Sequence, residues 1–162
     1  MIKPSVDHII FDWGDTIMKD DPSRTDAMYL WPEVELVEEG TAELLARLAE
    51  TYTLIIATSA AASNDTLVRR ALARVGVDGY FSAVFTSKMS GVPKTDAQFW
   101  QHIMQELSVG AERLLMVGDG FEGDVKTPAG LGIQSLWYNG KSAESRTGEN
   151  YSTIHRLSDL VG

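Results

Sequence analysis

The chain of 162 residues contains no cysteine. That excludes a disulfide framework, zinc–thiolate and iron–sulfur centres, and any thiol nucleophile. Histidine is scarce as well: His8, His102 and His155 are scattered without motif spacing and cannot assemble a histidine-rich metal site. Cations are outnumbered, with 14 Lys and Arg against 23 Asp and Glu, for a net charge of −9 and a pI near 4.7. A nucleic-acid partner or an anionic membrane surface would need clustered Lys and Arg, so neither is expected. No apolar run approaches the roughly 18–20 residues that span a bilayer. The opening MIKPSVDHIIFDWGD lacks a signal-peptide cleavage pattern, and its apolar stretch ends in Asp12. Cytoplasm is the expected location.

What is present is ordinary for a globular protein: 44% hydrophobic and 23% charged residues. A 17.8 kDa chain fits one compact domain over residues 1–162, able to bury roughly 68–70% of its unfolded surface. Short β-branched runs at 6–11, 53–57, 83–86, 114–117 and 134–137 read as strands. Between them, residues 38–50, 64–75 and 96–107 carry helical periodicity, with Ser63 or Asn64 and Thr95 or Asp96 as candidate N-caps. A short helix near 124–130 and a terminal turn or helix over 151–160 complete the pattern. Strand–helix alternation of this kind predicts an α/β, Rossmann-like three-layer sandwich with a mainly parallel, five-stranded sheet. Residues 18–37 are too polar and Pro-broken for a core element and read as a long loop, a length that often carries function. Residues 140–150 read as a second loop.

Polar residues fall where the strands end. The first runs into Asp12-Trp13-Gly14-Asp15-Thr16, the second into Thr58-Ser59, and the fourth into Gly118-Asp119 followed by GFEGD to Asp124. The loop after the third carries Lys88 and Lys94. In parallel sheets ligands bind at the carboxyl edge. Three acids there suit a hard cation such as Mg²⁺, a carboxylate beside it can attack phosphorus, and a lysine with a hydroxyl can hold phosphoryl oxygens. The glycine-rich GDGFEG is no dinucleotide loop, because its acids would repel a pyrophosphate. A phosphoryl-accepting receiver domain uses a similar residue set, but the chain order differs: receivers place an acidic pair before the phosphorylated aspartate.

FDWGDT, the end of TLIIATS, SGVPKTD and VGDGFEGD resemble, in order, the four motifs of the haloacid dehalogenase (HAD) superfamily, mostly Mg²⁺-dependent phosphohydrolases. The resemblance covers nearly the whole chain. It implies that Asp12 is the nucleophile and a metal ligand, with the Gly14 carbonyl, Asp119 and Asp124 completing the Mg²⁺ site. Thr58, with Ser59 beside it, and Lys94 would bind the phosphate. Lys88 is read as a solvated loop residue, and Asp20, Asp21 and Asp26 as a solvated acidic loop. The implied reaction is hydrolysis of a phosphate monoester through an aspartyl-phosphate, on a phosphorylated small molecule or macromolecule. Phosphatase is preferred to dehalogenase because the VGDGFEGD acids suit a cation. The alternative is a catalytically weak or inactive HAD-like domain that binds a ligand or partner.

Two departures from the family follow. Neither 18–37 nor 86–94 is long enough for a cap with its own core, so a capless, open site is expected, with 18–37 at most a partial lid. Open members take large substrates or borrow shielding from a neighbouring subunit, which leaves room for a homo-oligomer. Met28, Tyr29, Leu30 and Trp31 would form a lid, a core anchor or a contact surface. Second, the family's usual acid/base aspartate is replaced by Gly14, and Asp15 stands where glycine is usual. Asp15 either swings in as acid/base or bonds the amides of its own turn, the latter being the preferred reading.

Overall fold

A computed structural model describes residues 1–60 and 62–162. Six parallel strands form one sheet in the order β3-β2-β1-β4-β5-β6: β1 His8–Phe11, β2 Thr53–Thr58, β3 Phe81–Thr86, β4 Leu114–Gly118, β5 Gln134–Tyr138 and β6 Tyr151–Ile154. The helices are α1 Thr41–Ala49, α2 Asp65–Arg74, the single turn α3 Ser87–Ser90, α4 Ala97–Leu107 and the short α5 Thr127–Gly130. The expected five strands are corrected to six. Residues 151–160, read as a turn or helix, instead form β6 and a 3-10 helix at Leu157–Val161. The sequence YSTI suits an edge strand, half buried and lacking the continuous apolar run that betrays a central one.

Strand geometry explains the core. Successive residues point to opposite faces. Ile9 and Phe11 of β1, Leu54 and Ile56 of β2, and Leu115 and Val117 of β4 share one apolar layer with Leu44, Leu45 and Leu48 of α1 and Leu72 of α2. The intervening Ile10, Ile55 and Met116 enter the other layer, against Phe99, Trp100 and Ile103 of α4. Sequence-level capping holds at two helices: Asn64 accepts the Leu67 N–H at the start of α2, and Asp96 accepts the Gln98 N–H at the start of α4.

The strand order fixes where a ligand can sit. From β1 the chain works outward to β2 and β3, then returns to the other side of β1 for β4, β5 and β6. The connections therefore diverge between β1 and β4, leaving a crevice at their carboxyl ends.

Candidate active site

Asp12 and Asp119 flank that crevice, each one residue beyond its strand. The Asp12 N–H donates to the Val117 carbonyl at 2.9 Å, extending the β1–β4 ladder into the site. Lys94 enters from the turn before α4, its carbonyl held by Trp100 Nε1 at 2.8 Å. Its Nζ donates to Asp12 Oδ1 at 2.7 Å and to Asp124 Oδ1 at 2.8 Å. The lysine is only 5% exposed, and an ammonium so buried is tolerated because two carboxylates meet it.

Asp124 lies in a π-helical turn, Phe121–Lys126, that leads into α5. Such turns are rare and concentrate at functional sites. The Gly120 N–H donates to Asp124 Oδ2 at 2.9 Å. A Cβ on Gly118 would fall 2.4 Å from that same oxygen, so glycine is what lets Asp124 close onto the end of β4. Thr16 links the acids: its Oγ1 lies 3.2 Å from Asp119 Oδ1 and 3.4 Å from Asp12 Oδ2, and accepts the Asp119 N–H at 3.2 Å.

One carboxylate oxygen each from Asp12, Asp119 and Asp124 lies within 4.8 Å of the others. Burial and the neighbouring Asp12 charge push Asp119 up to about 8. Burial and Asp12 also raise Asp124, to about 6, against the pull of Lys94. Burial penalises the Lys94 ammonium, but Asp12 and Asp124 outweigh that and hold its pKa above the ordinary value. Three acids facing one cation leave an excess of negative charge, and an all-oxygen donor set fits Mg²⁺.

The phosphate-binding candidates meet the same space. Thr58 ends β2 and is buried; its Oγ1 accepts the Ala60 N–H at 3.1 Å, leaving the hydroxyl proton for a ligand. Ser59, Gly14 and Thr58 border a cavity of about 240 Å³ with Asp12. A second, of about 320 Å³, is bordered by Asp12, Ser59, Lys94, Asp119 and Asp124. A third, of about 700 Å³, adjoins Asp119 but not Asp12.

Asp15 goes elsewhere. It takes a left-handed backbone, φ 57°, which aspartate tolerates. Its Oδ1 accepts the Asp20 N–H at 3.1 Å and its Oδ2 pairs with Lys141 Nζ at 3.3 Å. It borders the 700 Å³ cavity rather than either cavity at Asp12. Lys88 is exposed on α3. Sequence reasoning assigned no task to Thr16, Trp100 or Gly118. Thr16 carried a signal in FDWGDT, four residues after Asp12, and Gly118 stands within VGDGFEGD; Trp100, six residues after Lys94, carried none.

Residues 29–132 match the family model for haloacid dehalogenase-like hydrolases. Over 110 residues the chain is 34% identical to the pyrimidine 5'-nucleotidase PynA of Streptococcus pneumoniae, which covers 67% of this chain and 45% of that protein. Over 92 residues it is 28% identical to a glyceraldehyde 3-phosphate phosphatase of Methanocaldococcus jannaschii, covering 56% of this chain and 40% of that one. The chain thus spans less than half the length of these curated relatives. An uncharacterized protein from Listeria monocytogenes serotype 4b has the same fold, with a TM-score of 0.82 at 22% identity over 96% of this chain and 94% of that one. The family match begins beyond Asp12, so that residue's place in the site rests on its geometry. By the extent of that match, the chain belongs to the haloacid dehalogenase-like hydrolase family.

Proposed function

We propose that this protein is a Mg²⁺-dependent phosphohydrolase that cleaves phosphate monoesters through an aspartyl-phosphate on Asp12. The observation that carries the reading is Lys94 bridging Asp12 and Asp124, with Asp119 as a third acid within 4.8 Å. Mg²⁺, held by Asp12, the Gly14 carbonyl, Asp119 and Asp124, would neutralise the phosphoryl oxygens and the crowded carboxylates. Lys94 holds the Asp12 carboxylate in one orientation and faces the phosphoryl group with positive charge. The Thr58 and Ser59 hydroxyls donate to the remaining phosphoryl oxygens. Asp12 attacks phosphorus as the bond from phosphorus to the ester oxygen breaks and the alcohol departs; water then hydrolyses the acyl phosphate, releasing inorganic phosphate and freeing the carboxylate.

The site is open in this reading. Between β1 and α1 the loop has a single 3-10 turn, Met28–Leu30, whose Met28 packs into the core with neighbouring Trp31. That burial supports the anchor reading over a lid. The relatives' names, a nucleotidase and a sugar-phosphate phosphatase, make nucleotides and triose phosphates the first substrates to try.

The test is a screen of phosphate monoesters with and without Mg²⁺, on wild type and Asp12→Asn. Turnover is expected only for wild type with Mg²⁺, and beryllofluoride should trap on Asp12. Retained turnover in a folded Asp12→Asn variant would sink the mechanism. A second reading, a weak domain kept for binding, draws on Gly14, which offers no proton-transfer side chain. It predicts beryllofluoride binding without turnover.

A further inference from the structure

The turn after β1 lacks a side chain at Gly14, and another residue's side chain lies alongside that position. A Cβ built on Gly14 would lie 3.5 Å from Cβ, Cγ and Oδ2 of Asp20. The chain folds back to bring them together. Met18 bridges to Gly14, the Asp15 N–H donates to the Met18 carbonyl at 2.6 Å, and Asp15 Oδ1 accepts the Asp20 N–H at 3.1 Å. Asp20 Oδ1 accepts the Asp21 N–H at 2.9 Å, whereas among the described residues Oδ2 accepts no hydrogen bond. Asp20 borders the 240 Å³ cavity together with Asp12, Thr58 and Ser59. A carboxylate oxygen thus lies about 3.5 Å from where a residue-14 Cβ would stand, on an exposed residue that borders the cavity shared with the nucleophile.

We propose, resting on the phosphohydrolase reading, that Asp20 is the acid/base of the reaction, supplied from the loop in place of residue 14, with Asp15 as its positioning residue. An Asp12 oxygen forms a bond to phosphorus as the bond from phosphorus to the ester oxygen breaks. The Asp20 carboxyl gives its proton to that departing oxygen. Asp20 carboxylate then takes a proton from water, whose oxygen attacks phosphorus. The bond from phosphorus to Asp12 breaks, releasing inorganic phosphate and leaving Asp20 protonated for the next cycle.

The reading separates leaving groups. An alkyl phosphate needs protonation of a poor leaving oxygen; an aryl phosphate needs far less. Asp20→Asn should lower kcat on an alkyl phosphate by about 10²–10⁴-fold, and on an aryl phosphate by a much smaller factor. Beryllofluoride affinity, measured by calorimetry, should stay within a few-fold, because the task assigned to Asp20 is proton transfer with the ester oxygen and water, whereas Asp12, Thr58, Ser59 and Lys94 hold the phosphoryl group. Asp15→Ala should steepen the leaving-group dependence in the same direction, less strongly. Gly14→Asp combined with Asp20→Ala should restore alkyl phosphate turnover, since the added Cβ meets only ordinary contacts. Equal losses on the two esters, or no loss, would overturn the assignment to Asp20. No Mg²⁺-dependent turnover of the aryl ester by wild type would overturn the phosphohydrolase reading beneath it.

Discussion

At the scale of single residues, the site is governed by how much charge is buried around Lys94. Its ammonium is the one positive group bonded to two buried carboxylates among the described residues, and it holds Asp12 and Asp124 together. Lys94→Met keeps most of the apolar stem and removes the charge. Breaking a buried pair from one side costs about 3–5 kcal/mol, because the remaining charges lose their compensation. Turnover should vanish, and urea denaturation should show a stability loss larger near pH 8 than near pH 5. At the lower pH the two acids raised by burial take up protons, which relieves their repulsion. A loss that is equal at both pH values would mean that the lysine is only packing. Asp12, Thr58, Lys94, Asp119 and Asp124 were legible in the sequence because each stands at or just past a strand end or in its loop, where side chains leave the core. Asp20 was not. Beside Asp21 and Asp26 it reads as one of three solvated acids, and all three are indeed exposed; only the backward fold of the loop sets Asp20 beside Gly14.

At the scale of elements, residues 18–37 behave as an anchored strap. Met28 and Trp31 are 4% and 8% exposed and lie in the same apolar layer as α2, while Leu30 stands 58% exposed. Arg74, at the end of α2, donates to the carbonyls of Tyr29, Trp31 and Pro32, tying the strap to a helix. Three carbonyls with no regular-structure partner are satisfied by one guanidinium, whose fork of donors suits the task. Arg74→Met should therefore loosen the strap without touching the carboxylates. Hydrogen exchange of the Leu30 and Trp31 amides should speed up by at least about tenfold, the equivalent of about 1.4 kcal/mol of lost local protection. Unchanged exchange there would show that Met28 and Trp31 alone hold the strap. The sequence showed that this stretch was a loop, because prolines and charges interrupt any period. Which of its apolar residues faced inward was not readable, since a loop has no repeating geometry to translate spacing into a face. The same limit hid β6: four half-buried residues at a sheet edge carry too short a pattern to tell a strand from a turn.

At the scale of the whole molecule, the strand order concentrates three acids at one crevice, and that should make global stability depend on pH. Asp119 and Asp124 sit above the ordinary aspartate value, near 8 and 6. Between the unfolded value and those folded values, the folded protein holds more protons than the unfolded chain. Without a divalent cation, stability from these groups is therefore highest in acid and is lost as pH rises toward about 8. Surface acids that are held low by their partners, such as Asp7 beside Arg113 and Glu35 beside Lys19, lose their contribution only in stronger acid and lie outside this window. A cation that binds all three carboxylates needs them deprotonated, so its affinity, and the stability it adds, should grow over the same pH range. Thermal unfolding of wild type with and without Mg²⁺ should thus show a small rise in Tm near pH 5.5 and a larger one near pH 8.5. Taking the difference at each pH cancels titrations that Mg²⁺ does not touch. Asp119→Asn removes the most strongly raised acid, so it should flatten the metal-free pH slope and shrink the Mg²⁺ response at high pH. A Tm rise that is the same at both pH values, or larger in acid, would mean that the cluster is not the cation site.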